Sequence, residues 1–156
     1  DSSAASDVYK RQTLPQLKKK YIDTGKVQLE FIDYPLDRLA VIAATLARSI
    51  PTKDGYLEAV SILLKKQKQW AYSKNPLNEL QSIAKLFGIS SKKFNDISQN
   101  IPLMQEIVTK MEEESKNFDI NSTPTFIVND KYKISGALSF KDFEKELLKS
   151  INAKKS

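Results

Sequence analysis

The heptapeptide Ile120-Asn121-Ser122-Thr123-Pro124-Thr125-Phe126 is the most informative stretch of the 156-residue sequence. A proline directly before a β-branched and aromatic run is unfavourable inside a strand, because it donates no ladder hydrogen bond. It is acceptable at the start of a strand, either in the ordinary trans form or as a cis peptide in a tight turn. A cis Thr123–Pro124 bond would reverse the chain and leave strand-edge backbone groups free to pair with an extended peptide. From these residues alone both forms stay open.

The residues after this heptapeptide read as a hairpin followed by a helix. Thr125 to Asn129 form a short predicted strand, Asn129-Asp130 is a turn signal, and Tyr132 to Ser135 form a second strand. Gly136 follows, and Ser139 can cap a final helix. The apolar face of that helix consists of Phe140, Phe143, Leu147 and Ile151. A two-stranded hairpin is not stable alone, so the sequence must supply a further strand.

A further strand is predicted at Lys26 to Asp33, where apolar and polar residues alternate. Residues 13–23 before it have helical spacing, and Gly25 is expected to end that helix. Between residues 38 and 118 the pattern is helical throughout. The order is therefore helix, strand, several helices, hairpin and helix, which indicates an α/β protein with an all-helical insertion.

The composition excludes several kinds of chemistry. The chain has no Cys and no His, so it offers no disulfide, no thiol nucleophile and no Ser-His-Asp triad. Its net charge of +6 comes from basic residues that are interleaved with acids, which favours a solvated helical surface over a nucleic-acid site. The longest apolar stretch, Leu39 to Ala47, is too short to span a membrane, and no signal peptide is visible. We expect no cofactor, no metal site, no nucleic-acid partner and no membrane span.

The sequence resembles the DsbA-like thiol-disulfide oxidoreductases, which have the thioredoxin fold. The resemblance rests on the TPTF segment with its hairpin and Ser135-Gly136-Ala137. It extends upstream to Thr13-Leu14-Pro15, Tyr21 to Val27, Asp33 to Asp37 and Gln67-Lys68-Gln69-Trp70, and covers about residues 13–150. It implies that Thr123 and Pro124 form the substrate-binding cis-proline loop. It also implies that the helices between 38 and 118 are the inserted cap domain.

The resemblance further implies a periplasmic enzyme that passes a disulfide to folding proteins through a Cys-x-x-Cys pair. The pair begins a helix, whose dipole stabilises the thiolate. Its partners would be unfolded or extended polypeptides and a redox partner protein of the envelope. In the family's register the two cysteines fall at Ser3 and Ser6. Disulfide exchange requires a thiolate, so this polypeptide cannot perform the redox step itself.

Two interpretations of residues 1–12 stay open. Ser3 and Ser6 are a doubly substituted relic of the cysteine pair, or residues 1–12 are a non-native or disordered leader, which is the interpretation we favour. The predicted parts are then this leader, thioredoxin-fold segments at 13–37 and 119–152, and a helical insertion domain at 38–118. The family's first β-strand would be missing, and we expect a chain of this kind to be marginally stable and prone to pair with other strands.

Two other functions stay open at this point. One is a non-catalytic peptide-binding or chaperone-like module that uses the cis-proline loop and the cap groove. The other is a basic helical interaction protein without the thioredoxin fold, for which Pro124 would be trans and the strands would lie apart.

Overall fold

The computed structural model describes residues 9–136 and 138–153. Ser3 and Ser6 lie outside these residues. The chain divides into two compact units. The described part of the first unit runs from Tyr9 to Phe31 and from Glu113 onward, and the second unit is Ile32–Glu112. The predicted boundaries of the insertion domain at 38 and 118 stay a prediction.

The described elements follow the predicted order of helices, hairpin and helix. The first helical segment, α1, consists of three consecutive helical stretches: Tyr9–Thr13, Leu14–Leu17 and Lys18–Ile22. The other elements are α2 (Arg38–Arg48), α3 (Lys53–Lys65), α4 (Gln67–Ala71), α5 (Pro76–Lys85), α6 (Ser91–Ser98), α7 (Ile101–Phe118), β1 (Thr125–Val128), β2 (Tyr132–Ser135) and α8 (Phe140–Ala153).

Helix α1 begins at Tyr9, four residues before its predicted start at Thr13, so the last part of the expected leader is helical. The side chain of Tyr9 is only 4% exposed. Its ring packs edge-on against Phe126, with the ring centroids 4.9 Å apart, and Phe126 packs in the same way against Phe143 at 4.6 Å. A single aromatic residue among polar ones shows no helical period, so this start depends on packing that a local pattern does not record.

The predicted strand at Lys26 to Asp33 is wrong. Helix α1 ends at Ile22, and the expected glycine follows three residues later, where Gly25 has a φ of +76°. The residues after it belong to no helix or strand, although burial still alternates at first, with Val27, Leu29 and Phe31 half-buried. A strand requires a hydrogen-bonded neighbour, and in the described part of the chain the only paired strands are β1 and β2. Alternation therefore identified residues that are buried on alternate positions, but it could not supply the strand with which they would pair.

The hairpin of β1 and β2 is antiparallel, with Phe126 opposite Ile134 and Val128 opposite Tyr132. Asn129 and Asp130 both have positive φ values, 54° and 57°. This backbone conformation matches the right-handed twist of the flanking strands. The backbone N–H of Lys131 closes the turn by donating to the carbonyl oxygen of Val128 at 3.1 Å. The predicted hairpin and its turn are confirmed.

The core of the first unit lies where α1, the hairpin and α8 meet. The predicted face of α8 is the one that packs inward. The buried core residues are Leu17, Tyr21, Ile134, Phe140, Phe143 and Leu147, with Val27, Phe126, Val128 and Ile151 partly buried against them. The spacing of the apolar residues along α8 thus predicted the correct face because all of them contact one neighbouring surface.

A polar contact joins α1 to α8 at the edge of this core. Oε2 of Glu144 accepts a hydrogen bond from the Tyr21 hydroxyl at 2.7 Å and another from Nζ of Lys20 at 2.8 Å. The hydrogen bond from Lys20, followed by the one from Tyr21, holds the pKa of Glu144 below its ordinary value. Burial, together with the bond to Glu144, raises the pKa of Tyr21 to about 12.

The second unit is all-helical in its described residues. Asp37 begins α2 as predicted, since its side chain accepts a hydrogen bond from the backbone N–H of Ala40 at 2.8 Å. Asp33 accepts from Nε of Arg48 at 2.6 Å and from the Tyr56 hydroxyl at 2.9 Å. Asp33 therefore links the segment before α2 to α2 and α3 by hydrogen bonds. The buried core contains Ile42, Leu46, Leu63, Trp70, Leu80, Ile83, Phe94 and Ile97.

Replacing Tyr9 by Ala should lower the free energy of unfolding by about 3 kcal/mol, because it leaves a cavity beside Phe126. Tyr72→Ala is the matched control: Tyr72 is 84% exposed, and its loss should cost no more than about 0.5 kcal/mol. Urea denaturation followed by circular dichroism measures both. Equal effects of the two substitutions would show that Tyr9 does not belong to the core.

The contribution of Glu144 to stability should be lost in acid. Its pKa is lower in the folded than in the unfolded chain, so the stabilisation is fully present above the unfolded pKa and disappears as pH falls through the folded pKa. Glu144→Gln should therefore be less stable than the wild type at pH 7, and the difference should shrink below about pH 4. Urea denaturation across this pH range measures it, and Lys20→Met should reproduce part of the effect. A difference that does not vary with pH would contradict the assignment.

Candidate functional site

The loop from Asp119 to Pro124 connects α7 to β1 and contains the predicted site residues. Helix α7 ends at Phe118, and Asp119 after it has a φ of 50°. The backbone N–H of Ile120 donates to the carbonyl oxygen of Ser115 at 3.4 Å. This pattern is the Schellman end of a helix, in which aspartate takes the left-handed position that glycine usually holds. The helix end therefore sets the direction in which the loop leaves.

The loop reaches β1 through a cis peptide bond between Thr123 and Pro124. The backbone N–H of Gly136, directly after β2, donates to the carbonyl oxygen of Pro124 at 2.9 Å. A Cβ atom on Gly136 would overlap Cγ and the carbonyl oxygen of Pro124. Residue 136 can therefore approach the proline this closely only as glycine.

A side-chain hydrogen bond closes the loop from within. The hydroxyl of Thr125 donates to the carbonyl oxygen of Ser122 at 2.6 Å. The side chains of Thr123 and Pro124 are half-buried, while those of Asn121 and Ser122 are exposed. Thr123 and Pro124 are thus held by two hydrogen bonds. Gly136 donates to the carbonyl oxygen of Pro124, and Thr125 donates to that of Ser122.

The hydrogen-bonding pattern of the hairpin determines which backbone groups of β1 are directed away from β2. Because Pro124 and Gly136 form a hydrogen-bonded pair, the next such pairs are Phe126 with Ile134 and Val128 with Tyr132. The intervening residues Thr125 and Ile127 therefore direct their backbone N–H and C=O groups away from β2. In the described part of the chain this edge of β1 is the outer edge of the sheet.

The side chains next to the cis peptide bond are suited to hydrogen bonding with a polypeptide backbone. The loop presents hydroxyl, amide and backbone groups together with the exposed carboxyl group of Asp119, while Thr123 and Pro124 have no ionisable side chain. Burial raises the pKa of the Tyr9 phenol above its ordinary range, so this side chain beside Phe126 stays neutral. Such groups can hold an extended backbone through hydrogen bonds, and no thiol is present anywhere in the 156 residues.

Two of the four residues that the sequence analysis discussed for the site are described by the structure. Thr123 and Pro124 lie together at the start of β1, whereas Ser3 and Ser6 fall outside the described residues. Sequence reasoning quoted Gly136 but gave it no role, and it missed Tyr9. The turn signal alone did not identify Gly136, because a two-residue loop at Asn129-Asp130 would place Ser135 opposite Pro124. The observed pairing of Val128 with Tyr132 places Gly136 there instead.

Comparison with known proteins assigns the family. The family model described as Thioredoxin matches residues 8–149. The crystal structure of alpha-DsbA1 from Wolbachia pipientis matches with a TM-score of 0.79 and 26% sequence identity, covering 96% of this chain and 82% of that chain. The chain is a DsbA-like member of the thioredoxin family. The predicted thioredoxin-like fold with a helical insertion is confirmed, and the alternative of a helical protein without this fold is wrong.

Curated relatives of this DsbA-like chain are named for disulfide chemistry. Proteins named "Putative protein-disulfide oxidoreductase" from Rickettsia typhi and Rickettsia conorii are 30% and 31% identical over 122 residues. The match covers 78% of this chain and 45% and 44% of those proteins. The thiol:disulfide interchange protein DsbA of Buchnera aphidicola is 26% identical over 128 residues, covering 81% of this chain and 58% of that protein. The chain thus spans about half the length of the first two relatives.

None of the helices described for this DsbA-like chain combines the length and the apolar character that crossing a bilayer requires.

Gly136→Ala should destabilise the chain and displace the loop, because the new methyl group overlaps Pro124. Gly88→Ala is the matched control: Gly88 has a φ of +74° and open space around it, so this substitution carries only the left-handed cost of about 1 kcal/mol. We expect Gly136→Ala to cost about 1–3 kcal/mol from overpacking. It should also shift the amide resonances of residues 122–126, which Gly88→Ala should leave in place. Unchanged resonances at 122–126 would contradict the close approach of residue 136 to Pro124.

Proposed function

We propose that the loop containing Thr123 and Pro124 binds the backbone of extended or unfolded polypeptides in a DsbA-like protein of the bacterial envelope. The observation that carries the proposal is the hydrogen bond from Gly136 to Pro124. This bond fixes the loop at the start of β1, so that the residues before the strand have a defined conformation before any ligand arrives. A preformed loop binds a polypeptide without the ordering cost that a mobile one would have.

The family assignment supports a role in disulfide formation. Proteins named as disulfide oxidoreductases act on thiols, and transfer of a disulfide begins when a thiolate attacks one sulfur of a disulfide and releases the other as a thiolate. The 156 residues contain no Cys, so they contribute client binding and not the exchange step. On the same family resemblance we propose a location in the periplasm, where disulfides persist, and an envelope redox protein as a partner.

A second function differs only in the role of the missing thiols. A non-catalytic peptide-binding or chaperone-like module would use the same loop. An intact upstream strand with Ser at both cysteine positions would favour it, and the family resemblance implies that Ser3 and Ser6 occupy those positions. Both functions require that the loop bind polypeptide, and that step can be tested directly.

The full chain should bind reduced, carboxyamidomethylated ribonuclease A, an unfolded polypeptide without free thiols. Thr123→Lys should raise the dissociation constant about tenfold, because a long charged side chain obstructs the half-buried position beside Pro124. Thr109→Lys introduces the same charge at an exposed position of α7 and is the control. Isothermal titration calorimetry measures all three proteins.

Two results would reject this function. The first is a wild-type chain that does not bind the unfolded polypeptide. The second is an equal loss of affinity in Thr123→Lys and Thr109→Lys, since binding would then respond to added charge and not to the loop.

A further inference from the structure

Lys133 contacts the beginning of the loop from the neighbouring strand. It lies in β2, opposite Ile127, and its side chain is exposed. Its Nζ atom donates a hydrogen bond to the backbone carbonyl oxygen of Asp119 at 3.1 Å. Asp119 is the left-handed residue that ends α7 and starts the loop. An exposed lysine on the hairpin therefore reaches across to the point at which the chain leaves the helix.

The same strand also fixes the other end of the loop. The carbonyl oxygen of Pro124 accepts from the backbone N–H of Gly136, the residue directly after β2. The loop is thus attached to β2 and its continuation at both ends, by Lys133 at Asp119 and by Gly136 at Pro124. The residues between these two attachments include Thr123.

The charge of Lys133 suits its position. Helix α7 has 18 residues, and the aligned peptide dipoles place partial negative charge at its carboxyl end. A lysine ammonium that hydrogen-bonds a carbonyl oxygen at such an end is favourable, both through the hydrogen bond and through its interaction with the dipole. An uncharged side chain at position 133 would lose both contributions.

We propose that Lys133 is a positioning residue for polypeptide binding: it holds Asp119 in place and thereby the loop that carries Thr123. The proposal rests on the proposed function of that loop. Lys133 acts through its contact with Asp119 and does not itself touch the bound polypeptide. It lowers the ordering cost of binding by restricting the loop beforehand.

Three variants of the full chain test this role. Lys133→Met keeps the length of the side chain but removes the ammonium, and Lys133→Arg restores a charged donor. Lys131→Met is the matched control, because it removes an ammonium group from the same hairpin. The Nζ atom of Lys131 lies over the Tyr132 ring, 5.4 Å from its centroid, whereas that of Lys133 contacts Asp119. All variants are compared by amide hydrogen exchange and by titration with reduced, carboxyamidomethylated ribonuclease A.

We expect Lys133→Met to speed exchange of the Ile120 amide, next to Asp119, while exchange of the Gly136 amide stays unchanged. The urea midpoint should fall only slightly, because a single exposed contact is lost. The same variant should raise the dissociation constant about two- to fivefold, as expected for one exposed charged contact. Lys133→Arg should restore both values, and Lys131→Met should match the wild type.

Unchanged exchange at Ile120 in Lys133→Met would overturn the proposal, and so would faster exchange with unaltered affinity. A wild-type chain that fails to bind the unfolded polypeptide would overturn the proposed function instead. In that case the exchange rate at Ile120 would still decide whether Lys133 positions the loop.

Discussion

The hydrogen bond from the backbone N–H of Gly136 to the carbonyl oxygen of Pro124 is the interaction on which the rest of the first unit depends. It sets the phase of the β1–β2 ladder, and the phase decides which residues of β1 point inward. Phe126 consequently packs between Tyr9 and Phe143 in the core, while Thr125 and Ile127 direct their backbone groups to the other edge. One contact between two residues twelve positions apart thus couples the loop, the strand edge and the core.

The elements that the sequence predicted correctly are those whose causes lie within a few residues. Three features follow from local backbone chemistry: the hairpin turn at Asn129-Asp130, the capping of α2 by Asp37 and the left-handed Gly25 shortly after the end of α1. The strand at Lys26 to Asp33 failed because a strand is completed by a neighbour, and side-chain alternation says nothing of where that neighbour is. Tyr9 was missed for a related reason, since its burial depends on Phe126, more than a hundred residues away in the chain.

The candidate site shows the same division between local and long-range information. Thr123 and Pro124 were predicted as site residues because a proline before a β-branched run is unusual, and because the resemblance to DsbA-like proteins implies a substrate-binding loop at these positions. Gly136 and Lys133 were not assigned roles, because a glycine after a strand and a lysine within one are common. Their contacts with the loop appear only in the structure, where the register places Gly136 against Pro124 and the end of α7 brings Asp119 within reach of Lys133. Residues that support a site are harder to recognise than those that form it, since their chemistry is ordinary and only their position is specific.

The separation between binding and redox chemistry follows from the kinds of atoms involved. Backbone recognition needs N–H and C=O groups in a fixed geometry, which this fold supplies through its helix end, its hairpin and Gly136. Disulfide exchange needs a thiolate, which no residue of this chain can provide. The features that hold the loop, including Gly136 against Pro124 and Lys133 on Asp119, involve no sulfur atom. The contacts that hold the loop are therefore independent of the groups that would carry out oxidation, and this is why we propose binding, and not exchange, as the function of the loop.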